Sequence, residues 1–145
     1  MSTVRQLLQE KGFQIWLVSP SASIYEALQL MADKDTGAVL VMEEGKLLGI
    51  LSERDYARKV VLMGKSSKDT KVKEIMTKEV ITTSADKSIV DCMEAMTKYH
   101  IRHLPVVESG KVVGIVTIRD VVRKLVSEQE YTIKELEEFI SGNFR

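Results

Sequence analysis

Two heptapeptides carry the residue types with the clearest chemical use, Gly49-Ile50-Leu51-Ser52-Glu53-Arg54-Asp55 and Gly114-Ile115-Val116-Thr117-Ile118-Arg119-Asp120. Each reads Gly, two apolar residues, a hydroxyl, any residue, Arg, Asp, at the point where an apolar strand pattern gives way to a helical one. A helix N-terminus presents unpaired N–H groups and the positive end of the macrodipole, which favour phosphate. At that place a guanidinium chelates phosphate oxygens, a hydroxyl donates, and a carboxylate accepts from two vicinal ribose hydroxyls. The set suits the sugar-phosphate of a nucleotide. The same spacing is also a weak capping box, which needs no ligand. Arg54 and Arg119 bear on the choice, because a cation in the first helical turn opposes the dipole at a cost of about a few tenths of a kcal/mol unless an anion faces it. That anion is either a ligand or the neighbouring Asp55 and Asp120.

The two corners belong to a longer duplication. Trp16 to Val61 overlays on Ile81 to Val126 without a gap, with 15 identities at a shift of 65 residues. Each copy opens on a short extended stretch (Ile15 to Val18, Val80 to Thr83) and then a helix start, Ser23-x-x-Glu26 or Ser88-x-x-Asp91. Apolar stripes follow at helical spacing: Ile24, Ala27, Leu28 and Met31, then Ile89, Cys92, Met93 and Met96. Next come paired β-branched runs around Glu43-Glu44-Gly45-Lys46 and Glu108-Ser109-Gly110-Lys111, which predict hairpins. A second helix starts at Ser52 or Thr117. The predicted fold class is α+β, a tandem β-α-β-β-α repeat packed with pseudo-two-fold symmetry.

Short apolar-studded helices precede both copies, with Val4, Leu7 and Leu8 matching Val72, Ile75 and Met76. The expected organisation is therefore a first repeat with its N-terminal helix over 1–66, a second with its linker helix over 67–127, and a helical tail over 128–145. In the tail, Thr132-x-x-Glu135 predicts a separate capped helix with Ile133, Leu136 and Ile140 on one side and Gly142 as its stop. Either the rest of the chain or a second subunit must cover that stripe.

Bulk properties bound the function. Twenty-one basic and 21 acidic residues cancel, so the broad basic field of a nucleic-acid binder is absent. No apolar run approaches a membrane span, and the start lacks the apolar segment of a secretory signal, so a cytoplasmic protein is expected. The lone Cys92 reads as a small buried hydrophobe. Two histidines without a cysteine cluster argue against a structural zinc. His100 reads as a solvated helix-end residue, and His103 as either a hydrogen-bonded structural residue or a phosphate ligand. No Ser-His-Asp or Cys-His set can be assembled, so the chain is not expected to be an enzyme.

With two registered Gly-h-h-Ser/Thr-x-x-Asp corners and Arg102-His103-Leu104-Pro105-Val106-Val107 in the second copy, the chain resembles a tandem pair of cystathionine-β-synthase (CBS) domains, a Bateman module. The resemblance runs from about Thr3 to Val126, and the tail resembles that of stand-alone members. It implies regulatory binding of an adenosyl ligand (AMP, ADP, ATP, NAD or S-adenosylmethionine) without turnover and with no catalytic cofactor, in a homodimer that signals to a regulated protein. It also implies two clefts. In one, Asp120 would hold ribose, Thr117 and Arg119 would approach phosphate and Ile115 would face adenine, closed by Ser19 and the Thr36-Gly37-Ala38 backbone. In the other, Asp55, Ser52, Arg54 and Ile50 would play these parts, closed by Ser84 and Ile101-Arg102-His103. Because Gly37-Ala38 in one copy corresponds to Arg102-His103 in the other, the two sites need not be equal. The alternative is a partner-docking module with no nucleotide.

Overall fold

The computed structural model describes residues 2–141. Its elements are α1 (Val4–Lys11), β1 (Leu17–Val18), α2 (Ile24–Lys34), β2 (Ala38–Glu43), β3 (Lys46–Ser52), α3 (Glu53–Tyr56), α4 (Val72–Ile75), α5 (Ile89–Tyr99), β4 (His103–Glu108), β5 (Lys111–Thr117) and α6 (Ile118–Ser141). The duplication is visible in the backbone. Ser23 and Ser88 cap α2 and α5 by accepting the N–H groups of Glu26 and Asp91, and both helices end on a left-handed residue, Asp35 or His100. Both hairpins turn through two residues of positive φ, Glu44-Gly45 (51° and 78°) and Ser109-Gly110 (51° and 76°). Such turns match the right-handed twist of the flanking strands. Both hairpins also shift register at equivalent places, Val41/Met42 and Val106/Val107.

The copies diverge in their first strand. β1 pairs in parallel with β2, and Leu40 donates its N–H to the Trp16 carbonyl (2.9 Å). At the equivalent position in β4 stands Pro105, which has no N–H to give. The stretch Val80 to Thr83, expected to be extended, is accordingly reduced to a single bridge between Thr83 and Val106.

Two apolar cores result, and the short helices cross between them. α1 contributes Val4, Leu7 and Leu8 to the core of the second repeat, beside Ile89, Cys92, Met96, Leu104, Val106 and Val116. α4 contributes Val72 and Ile75 to the first, beside Ile24, Met31, Val39, Val41 and Leu51. Main-chain bonds fasten the exchange: Val4 N–H to the Lys87 carbonyl (2.8 Å) on one side, Val72 N–H to the Ala22 carbonyl (2.8 Å) on the other. Each short helix thus serves the repeat that does not follow it in the chain.

Close packing of these helices explains two glycines. A Cβ on Gly49 would lie 2.8 Å from the Thr77 carbonyl oxygen and 2.7 Å from Met76 Sδ, and one on Gly114 would lie 2.9 Å from a Leu8 methyl. Both strands must be bare there to let the helix through.

The tail differs from the expectation. α6 is continuous from Ile118 to Ser141, and Thr132 donates its hydroxyl to the Glu128 carbonyl (3.0 Å) instead of capping a new helix. A hydroxyl bonded back to the i−4 carbonyl fits the helix interior. Gly142, the expected stop, lies outside the described residues. Ile133, Leu136 and Ile140 are 55%, 56% and 83% exposed, so the described chain leaves this stripe uncovered.

Candidate functional site

A cleft of about 460 Å³ opens between the repeats beside the Asp55 corner. The first repeat lines it with Gly37, Ala38, Ile50, Ser52, Glu53, Arg54 and Asp55. The linker after α4 adds Thr77, Glu79, Val80 and Ile81, and the end of α5 adds Tyr99 to His103. Of the residues the resemblance assigns to this cleft, Ile50, Ser52, Arg54, Asp55, Ile101, Arg102 and His103 meet here. Ser84 does not line it and lies in a turn, its carbonyl taking the Lys87 N–H (3.2 Å). Gly37 and Ala38, assigned by the resemblance to the other cleft, line this one.

The corner is built by a full capping box. Ser52 Oγ accepts the Asp55 N–H (3.2 Å), while Asp55 Oδ2 accepts the Ser52 N–H (3.0 Å) and hydroxyl (3.1 Å). Asp55 Oδ1 takes Lys59 Nζ (3.0 Å) and the Thr77 hydroxyl (3.2 Å). Asp55 is buried, its side chain 12% exposed, and lines the cleft. Lys59 sits on a π-helical turn, Ala57–Val61, that continues α3, and also reaches the Ile75 carbonyl (3.2 Å).

Arg54 resolves part of its own puzzle. Its Nη1 donates to the His100 carbonyl (2.8 Å) at the C-cap of α5, so the cation that opposes one dipole satisfies the negative end of another. The contact ties the two repeats together across the cleft. His100, read from the sequence as a solvated end residue, therefore shapes the site through its backbone. His103 is half-buried in the wall. Burial pushes its pKa down, the nearby Asp120 carboxylate pulls it up, and Lys11 and Arg102 lower it further, with a net downward shift that favours neutral imidazole.

The Asp120 corner repeats the capping box but not the opening. Asp120 Oδ2 accepts the Thr117 N–H (3.0 Å), and Thr117 Oγ1 accepts the Asp120 N–H (3.1 Å). Lys11, from the end of α1, places Nζ 2.6 Å from Asp120 Oδ2 and 2.8 Å from the Ile115 carbonyl. Burial alone would raise the Asp120 carboxyl, but the Lys11 ion pair and the Thr117 bonds hold it below the usual aspartate range. A smaller groove of about 260 Å³ remains between α1 and α6, lined by Leu7, Glu10, Lys11, Asp120, Arg123, Lys124 and Ser127. Ile115, Thr117 and Arg119 do not line it. Neither do Ser19, Thr36, Gly37 and Ala38, which were expected to close the Asp120 cleft. Ser19 pairs with Ser21 (3.0 Å), Thr36 donates to the Ala38 carbonyl (3.1 Å), and Arg119 is exposed.

The duplicated architecture is matched by a known family. The CBS domain model fits this chain twice, over residues 4–62 and 72–127. The chain belongs to the CBS-domain family. Among related CBS proteins is the mitochondrial CBS domain-containing protein CBSX3 of Arabidopsis thaliana, 36% identical over 99% of this chain and 74% of its own length. A solved protein with CBS domains from Burkholderia ambifaria superposes with TM-score 0.86 at 44% identity, covering 88% of this chain and 96% of the other. A CBS pair solved in complex with 5-methylthioadenosine and S-adenosyl-L-methionine superposes at 0.78 and 30% identity, covering 88% of this chain and 98% of that one. Among the described residues no helix of this CBS pair is long and apolar enough to cross a membrane.

Thr77, Glu79 to Ile81 and Tyr99 are cleft residues that motif reading missed. The signal for the first four was the repeat of Val4-Leu7-Leu8 as Val72-Ile75-Met76, which places the residues after α4 against the strand-to-helix corner.

Proposed function

We propose that this CBS pair is a regulatory module that binds one adenine nucleotide, AMP, ADP, ATP or NAD, in the Asp55 cleft and does not turn it over. The observation that carries this reading is the cleft itself, where the Ser52 hydroxyl, the Asp55 carboxylate and the guanidinium groups of Arg54 and Arg102 come from both repeats to line one opening with apolar Ile50, Val80 and Ile101. In this reading Asp55 exchanges its Thr77 and Lys59 partners for the ribose hydroxyls, the apolar wall takes adenine, and Arg54 and Arg102 face the phosphates. The adenosyl ligands of the related CBS pair support the ligand class. Because Arg54 holds the end of α5, a phosphate that recruits it changes the contact between repeats, which is how occupancy becomes a signal. The module acts in the cytoplasm as a homodimer, with the uncovered α6 stripe supporting self-association, and passes ligand occupancy to a regulated protein.

A thermal-melt screen against AMP, ADP, ATP, NAD and S-adenosylmethionine tests the reading. At 100 times its dissociation constant a ligand that binds only the folded form adds about 2.7 kcal/mol. A stabilising nucleotide is the expected result; a flat response to all five overturns the reading and leaves the partner-docking alternative.

A further inference from the structure

The Asp120 corner has the same residue pattern as the Asp55 corner, and each carboxylate pairs with a lysine, but Lys59 reaches Asp55 from the turn that follows it whereas Lys11 reaches Asp120 from α1 and takes the Ile115 carbonyl as well. We infer that Lys11 is a built-in occupant of the second cleft, that it fixes the capacity of each chain at one nucleotide, and that its removal creates a second site. The inference rests on the nucleotide reading above and extends it to the other half of the molecule.

Three observations carry it. Lys11 Nζ donates to both Asp120 Oδ2 (2.6 Å) and the Ile115 carbonyl (2.8 Å), so the ammonium spans the carboxylate and the strand end that in the first repeat border the open cleft. The pair is substantially enclosed, with side-chain exposures of 27% for Lys11 and 17% for Asp120. Lys11 comes from α1, an element distant in the chain, so its side chain enters the corner from outside the strand and helix that form it. Finally, the groove left beside it is walled by α1 and α6 alone and has no contribution from Thr36 to Ala38.

The cause lies in how far each short helix extends. α4 stops at Ile75, and the chain then passes β3 in extended form, Thr77 exchanging both main-chain bonds with Ile50 (2.9 and 3.0 Å). Glu79 to Ile81 are thereby left as cleft wall. α1 instead runs on to Lys11, so at the equivalent carbonyl a lysine replaces a main-chain partner. Lys124 fixes the alignment by pairing with Glu10 (2.7 Å). A nucleotide entering here would have to displace the Lys11 ammonium from the carboxylate and the strand carbonyl together, whereas at the Asp55 corner the strand carbonyl is held by the main chain of Thr77 and no lysine spans the two groups.

Titration calorimetry with AMP on the full chain tests this, using the wild type, Lys11→Met and the double variant Lys11→Met/Asp120→Ala. The expected stoichiometries are one, two and one AMP per chain. Lys11→Met/Asp55→Ala should retain one, now in the second cleft. Should Lys11→Met fail to give a cooperative melt, Lys11→Gln, which keeps a donor without the charge, is titrated in its place with the same expectation. Two AMP bound by the wild type, or one by the Lys11 variant, overturns the inference while the nucleotide reading stands. No binding of AMP to any of the chains, when the melt screen is also flat, overturns both.

Discussion

The Asp55 and Asp120 corners start from one sequence pattern, form the same capping box, and reach opposite states. At Asp55 the carboxylate lines an inter-repeat cleft, steadied by Lys59 from its own helix and by the hydroxyl of Thr77. At Asp120 the steadying cation comes from a different element, α1, and also takes the Ile115 carbonyl. A ligand motif is therefore only half of a site. The other half is what the neighbouring segment does when it arrives, and here that is decided by whether a short helix stops four residues in or continues for eight.

The strongest way to break the comparison is to remove the packing that brings α1 to the second corner. Leu8 is 1% exposed and lies on Gly114, so Leu8→Ala should destabilise the chain by about 2–5 kcal/mol in urea denaturation, the range for large buried aliphatic truncations. A loss below 0.5 kcal/mol, on the order of a surface change, would mean that α1 is not anchored in that core. Next in size is the ligand test: Asp55→Ala should weaken nucleotide binding by about 1.5–3 kcal/mol, read by calorimetry. An unchanged affinity would remove Asp55 from the site.

The glycines sharpen the contrast further. Gly49→Ala drives a methyl onto a main-chain oxygen and should cost about 1–3 kcal/mol, while Gly114→Ala meets only the ends of Leu8 and should cost less. Equal losses in chemical denaturation would contradict that distinction.

The smallest effect is in pH. The native Asp120 carboxyl sits below its unfolded value of about 4, so its contribution to stability is complete above that value and disappears as pH falls through the native one. Lys11→Met removes the cation and leaves burial, which acts in the opposite sense. Urea midpoints taken between about pH 5 and pH 2 should therefore fall less in the variant than in the wild type. A parallel decline would show that Lys11 does not depress this carboxyl.

Most of the fold was legible because the duplication fixes the element order twice and the turns carry their own signals, as Glu44-Gly45 and Ser109-Gly110 do. The shortened strand before α5 was also written in the sequence, as Pro105 against Leu40, although the effect depends on a pairing partner that periodicity does not name. The Asp55 corner was legible as a motif. Its cleft walls at Thr77 and Glu79 to Ile81 were not, since they depend on the path of the linker after α4. Nor was the closure at Asp120: Lys11 is separated from it by most of the chain, and a lysine at the end of an amphipathic helix looks like any solvated charge until the helix is docked. Arg54 shows the same limit, because its dipole argument needed the location of a second helix end.

The exchange of short helices also dictates an order of events during biosynthesis. α1 leaves the ribosome before both repeats, yet the strands and helix it completes are made roughly 100 residues later, on the order of 5–20 s at ordinary elongation rates. The N-terminal half can finish its interior as soon as α4 emerges, whereas the C-terminal half must recapture a segment that has waited through most of translation. Completion of the pair thus draws its first helix back onto its far half, and that docking delivers Lys11 to its carboxylate.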